Sequence, residues 1–205
     1  MVFASKVLRA WAGGAVVAAL LTGCSSDPNS VASQARAGDR KGYVSGDGSV
    51  QLIALSQRDQ PLLISGTTLD GKAWSSDTAR GKVLVLNVWG SWCAPCVKEA
   101  PVLQKVYAQT QRDKQPVAFM GMDMKESPES AAAFVRSRGI TYPSLAFDGG
   151  KPMLGLNGKA PTVPATLVLD SRGRLASRVL GPVNESTLTG LIHDALLEHA
   201  QSSGQ

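Results

Sequence analysis

Histidine and cysteine are scarce in this chain of 205 residues, with two of the first and three of the second. A structural zinc site wants four ligands, commonly two Cys-x-x-Cys pairs or cysteines joined by histidines. His193 and His199 stand six apart on one predicted helix and so face different directions; they read as surface or packing residues. Counting therefore argues against zinc, and no metal or other cofactor is expected. It leaves open a copper site built from two cysteines and a distant histidine, although such sites usually space their cysteines by three residues. Charge of one sign is not in large excess either. The formal +5 includes Lys6 and Arg9 in a segment expected to be removed, which leaves 19 bases against 16 acids, a net of +3. Without a clustered basic stripe, that excludes a nucleic-acid-binding reading. There is no internal repeat and no apolar span beyond the N-terminus.

What the N-terminus does contain reads as an export signal over residues 1–23. A basic start at Lys6 and Arg9 precedes an apolar stretch, Ala10 to Leu21, that is too short and too rich in Gly and Ala to span a bilayer comfortably. Its end, Leu21-Thr22-Gly23-Cys24, resembles the lipobox of bacterial lipoproteins, in which the cysteine is lipidated and becomes the new N-terminus. Two acyl chains on Cys24 suffice for stable membrane attachment. The expected location is therefore the extracytoplasmic face of a cell membrane. There Cys93 and Cys96 are the remaining thiols, in a compartment where disulfides persist. Residues 24–50 are rich in Ser, Gly, Asp and Ala and read as a flexible tether with a reach of roughly 25 to 30 Å.

Residues 51–205 alternate strand and helix signals. Leu62-Leu63-Ile64 and the turn Leu69-Asp70-Gly71-Lys72 suggest an N-terminal β-hairpin. Lys82 to Trp89 is nearly all apolar and fits a strand buried on both faces. Helices are expected over 97–110, 128–138 and 185–200, the last capped by Asn184, with strands over 117–122, 144–147, 165–169 and 174–179. The pattern predicts one α/β domain, a central mixed sheet flanked by helices with an N-terminal hairpin extension.

The pair in Ser91-Trp-Cys93-Ala-Pro95-Cys96 falls between a buried strand and a helix. There Cys93 meets the unpaired N–H groups and dipole of a helix N-terminus, which favour its thiolate and make it the attacking group. Cys96 follows one turn later, more buried. Pro95 suits a first helical turn. A purely structural disulfide closing so short a loop removes little unfolded-state entropy, so the pair reads as redox-active.

These residues extend to a longer pattern, Val85-Leu-Asn-Val-Trp-Gly-Ser-Trp-Cys-Ala-Pro-Cys96, then Glu99-Ala-Pro101, then Val163-Pro164-Ala-Thr-Leu-Val-Leu-Asp170. The chain resembles the thioredoxin-like TlpA/ResA family of exported thiol-disulfide oxidoreductases from about Pro61 to its end. The resemblance implies a thioredoxin-like fold and a cis peptide at Pro164, which leaves the Val163 backbone to pair with a substrate strand. It implies Trp92 as an exposed contact beside Cys93, Trp89 as core and Pro101 as a structural helix proline. Where thioredoxins carry a buried Asp this chain has Asn87, and as in the family the acid-base role passes to Glu99, one turn beyond Cys96. The reaction implied is reduction of disulfides in exported proteins such as apocytochrome c, with a transmembrane thiol-disulfide electron donor. An oxidant that forms disulfides and a copper or haem chaperone for oxidase assembly are the other readings.

Overall fold

A computed structural model describes residues 49–203. Its elements are β1 (Ser49–Leu52), β2 (Ser65–Thr67), β3 (Ala73–Ser75), β4 (Val83–Trp89), α1 (Ala94–Arg112), β5 (Val117–Asp123) and α2 (Pro128–Ser137). They continue with β6 (Ser144–Leu145), α3 (Lys151–Leu154), β7 (Ala165–Leu169), β8 (Leu175–Leu180) and α4 (Glu185–Ser203). Six strands form one sheet in the order β1-β8-β7-β4-β5-β6. β4, β5 and β6 run parallel, while β7 is antiparallel to β4 and to β8, and β1 is antiparallel to β8. The mixed sheet flanked by helices is the architecture the sequence predicts.

β4 sits inside this sheet with all seven residues buried. Strand alternation sends Val83, Val85 and Trp89 into one apolar cluster with Leu103 and Val106 of α1 and Leu188 and Ile192 of α4. Leu84, Leu86 and Val88 face the opposite way, with Met120, Met122 and Leu167. The near-continuous apolar run follows from this double burial. Asn87 is the polar exception, and it lies on the Val85/Trp89 side by the same alternation. α4 is capped as expected, with Asn184 Oδ1 accepting the Thr187 N–H at 2.8 Å.

Three elements differ from expectation, the one-turn α3 among them, which no expected helix covers. The N-terminal hairpin exists as β2 paired with β3, but Leu62-Leu63-Ile64 is irregular chain leading into it. Leu62 and Ile64 are buried as plugs in the second cluster. Their backbone is satisfied outside any ladder, with Leu62 N–H donating to Gly173 O and Ile64 N–H to Ser76 Oγ. β1 was not predicted, and it begins two residues inside the stretch read as tether. Residues 1–48, with the expected signal, Cys24 and most of the tether, lie outside the described residues. Among the described residues no helix is long and apolar enough to cross a membrane.

Candidate active site

The parallel strands β4 and β5 end on the same edge of the sheet, where open α/β sheets place their sites. β4 delivers the chain into a short turn, closed by the Cys93 N–H donating to Gly90 O at 3.1 Å, and α1 starts directly after it. Cys93 is the N-cap of α1. Its Sγ accepts the Cys96 N–H at 3.2 Å, and the two cysteines form a disulfide with Cα atoms 5.2 Å apart. Both are buried, Cys96 slightly more than Cys93. Pro95 occupies the first turn, where its missing N–H costs no hydrogen bond. When the disulfide opens, the Cys93 sulfur faces the free N–H groups of the helix start, which lowers the cost of its thiolate.

Glu99 is 3 % exposed, which puts a carboxyl group in the apolar cluster that holds both cysteines. Two donors meet it there: Asn87 Nδ2 at 2.9 Å on one oxygen and the Val183 N–H at 3.0 Å on the other. Asn87 Nδ2 also reaches Thr166 Oγ1 of β7 at 3.2 Å. Burial pushes the Glu99 carboxyl up to about 7, and the bonds from Asn87 and Val183 hold it from rising further. A carboxyl tuned to that range exchanges a proton readily at neutral pH.

The Val163–Pro164 peptide is cis and leads straight into β7. Val163 packs against both apolar clusters, the one that holds the cysteines and the one on the opposite side of the sheet. Trp92 is 55 % exposed, with its indole N–H fixed to Met124 O at 3.0 Å. Trp89 is buried and stacks on Phe134 at 5.0 Å between centroids. Cys93, Cys96, Glu99 and Val163 are thus gathered about one buried cluster. Trp92 presents an apolar face to solvent beside them, and Cys24 lies outside the described residues.

Two acids that no sequence motif marks lie at the end of β5 and in the loop after it. Asp123 pairs in register with Trp89 and is buried, with neither oxygen in a close hydrogen bond. Burial, followed by the charge of Glu126, pushes its carboxyl up to about 7. Glu126 accepts from both the N–H and the Oγ–H of Ser91. The signal that points to them is positional, since they end and follow a strand running parallel to the one that leads to the cysteines.

Residues 59–178 match the AhpC/TSA family. The chain belongs to that family. It is 36 % identical over 122 residues to the thiol:disulfide interchange protein HelX of Rhodobacter capsulatus, covering 60 % of this chain and 65 % of HelX, just under two thirds. It is 29 % identical over 126 residues to the thiol-disulfide oxidoreductase ResA of Bacillus anthracis, covering 62 % of this chain and 70 % of ResA. Among solved structures, a DsbF homologue from Corynebacterium diphtheriae superposes with TM-score 0.62 at 30 % identity, over 74 % of this chain and 96 % of that one. A secreted thiol-disulfide isomerase from Corynebacterium glutamicum gives 0.64 at 27 %, over 75 % and 96 %. The domain is thioredoxin-like, and the Cys93–Cys96 pair is the site of a thiol-disulfide oxidoreductase.

Proposed function

We propose that the protein is a membrane-tethered, extracytoplasmic reductant of disulfides in partner proteins, apocytochrome c among them. The observation that carries the reading is the buried Glu99 carboxyl behind a Cys-x-x-Cys pair whose first cysteine caps a helix. An attacking thiolate in front and a proton acceptor behind are what the two halves of disulfide exchange require. In the first half, the Cys93 thiolate attacks one sulfur of the partner disulfide. The other sulfur leaves as a thiolate, and a mixed disulfide forms. In the second, Glu99 takes the Cys96 proton, Cys96 attacks the Cys93 sulfur, and the second partner sulfur departs. Two electrons have passed to the partner, the Glu99 proton is available to a departing thiolate, and the enzyme is left as the disulfide. Restoring the dithiol needs two electrons from a donor, for which a transmembrane thiol-disulfide transporter fits the location. The Val163 backbone ahead of cis-Pro164 offers a strand edge to the partner, and Trp92 an apolar contact. Lipidation of Cys24 and the tether over residues 24–50 would hold the domain near membrane-bound partners.

The relatives' names support the chemistry, and the TlpA/ResA resemblance supports the direction. The deciding experiment is the reduction potential of the Cys93–Cys96 couple together with insulin or apocytochrome c reduction. A potential at or below that of the glutathione pool, with turnover, is expected. One well above it would replace this reading with that of an oxidant.

A further inference from the structure

The turn that carries the chain from β4 into Cys93 is gripped from outside by one carboxylate. Glu126, in the loop between β5 and α2, accepts the Ser91 N–H at 2.6 Å on one oxygen and the Ser91 Oγ–H at 2.5 Å on the other. Two short bonds to two oxygens fix both the position and the orientation of the charged group. The same loop is fastened on either side, by the Trp92 indole N–H donating to Met124 O at 3.0 Å and by the Met124 N–H donating to Trp89 O at 2.9 Å. Residues 89–92 and 124–126 therefore form one hydrogen-bonded unit, and Glu126 is its anionic part. Asp123 is its direct neighbour, a buried carboxyl pushed up to about 7 by burial and then by the charge of Glu126 itself. Glu99 is buried against Asn87 and Val183, and Lys125 and Lys98 are exposed to solvent.

The location matters because the turn that Glu126 holds leads directly into Cys93. Ser91 is two residues before Cys93, so their Cα atoms are no more than about 7.6 Å apart. Reducing the disulfide adds two electrons; Cys96 takes up a proton, and Cys93 emerges as a thiolate at any pH above its pKa. The helix N-terminus stabilises that thiolate and so favours the dithiol, which makes a couple more oxidising. A fixed negative charge beside the thiolate works against it and favours the disulfide, which carries no charge to repel.

We propose that Glu126 is a positioning residue that holds a negative charge on the turn before Cys93 and thereby biases the Cys93–Cys96 couple toward the disulfide, setting the protein to donate electrons. This rests on the reductant reading above and gives it a structural cause. No sequence motif marks Glu126; only the fold brings it to Ser91.

The test compares the full chain with Glu126→Gln, which keeps one acceptor oxygen for Ser91 and removes the charge. Both proteins are equilibrated at pH 8 in glutathione and dithiothreitol buffers, and the Cys93 thiolate is titrated by its ultraviolet absorbance. In Glu126→Gln the thiolate is expected to form at lower pH and the equilibrium to move about tenfold toward the dithiol, about 30 mV for a two-electron couple. A shift under twofold, with an unchanged thiolate titration, overturns the proposal. Should Glu126→Gln not fold, Ser91→Ala decides: it removes one of the two anchoring donors, so a smaller shift in the same direction supports the proposal and none overturns it. The wild-type potential tests the reductant reading separately, because that reading depends on its absolute value and the role of Glu126 on the difference.

Discussion

Glu99 shows how one side chain links stability to chemistry. In the unfolded chain its carboxyl ionises near the ordinary 4.5, and in the native protein burial moves this to about 7. Between those values the native state keeps a proton that the unfolded state has lost. Native stability from this group therefore falls as pH rises from about 4.5 to about 7 and is level above that, by about 3 kcal/mol in all. Asp123, raised to the same range by burial and by Glu126, adds a slope of the same sign. Urea unfolding of the oxidised protein at pH 5 and pH 8 is expected to show the loss, and Glu99→Gln to show a clearly smaller one. Equal losses in the two proteins would mean that Glu99 does not titrate in this range. The chemistry has the opposite sense, because accepting the Cys96 proton needs the ionised form. Resolution of a mixed disulfide should speed up as pH passes through about 7, and Glu99→Gln should slow it about 100-fold and flatten that profile. A variant that keeps the wild-type profile in stopped-flow measurements would reduce Glu99 to a buried structural acid.

Among the elements, those that bury one periodic apolar set were readable in advance and those held by distant partners were not. β4, β5 and β7 are apolar runs and fall within a residue of their expected bounds, and Cys93 announces the start of α1 by its place after such a run. β1 has four residues, of which only Val50 is buried, and its strand character comes from pairing with β8 some 130 residues later. Glu99 was legible because the family resemblance singles out the acid that helical spacing puts one turn beyond Cys96. Glu126 was not, since its relation to Ser91 is made by tertiary structure alone. The same holds for Arg58, which the sequence does not single out. Its side chain is 3 % exposed and joins three elements: Nε donates to Ile53 O after β1, Nη1 to Asp170 after β7, and Nη2 to Glu198 of α4. Removing one member of a buried ionic network leaves the others uncompensated. Arg58→Ala is expected to lower unfolding free energy in urea by about 3 kcal/mol, less where Arg174 still neutralises Asp170. Because the network is remote from the cysteines in the fold's connectivity, the potential of the couple should not move. A displaced potential would show that α4 transmits strain to the site.

At the scale of the whole molecule, the direction of electron flow is a statement about folding. Oxidising the dithiol and unfolding the chain form a closed cycle. The difference in unfolding free energy between disulfide and dithiol forms must therefore equal the difference between native and unfolded redox couples. A fold that makes its dithiol a good reductant is a fold that prefers the disulfide, and so the oxidised protein must be the more stable one. Each 30 mV by which the native couple lies below that of the unfolded chain adds about 1.4 kcal/mol to the oxidised form. For a domain of this size that corresponds to a rise in Tm of roughly 3 to 6 °C. Two features set the sign: the start of α1 stabilises the Cys93 thiolate and favours the dithiol, while the Glu126 charge at Ser91 favours the disulfide. Under the reductant reading the second prevails, and calorimetry at pH 8 should find the disulfide form melting above the dithiol form. In Glu126→Gln the gap should narrow by the amount that its potential rises, because both are legs of one cycle. A dithiol form that melts higher in the wild-type protein would mean that the helix start prevails, and the protein would then be built to take electrons from its partners.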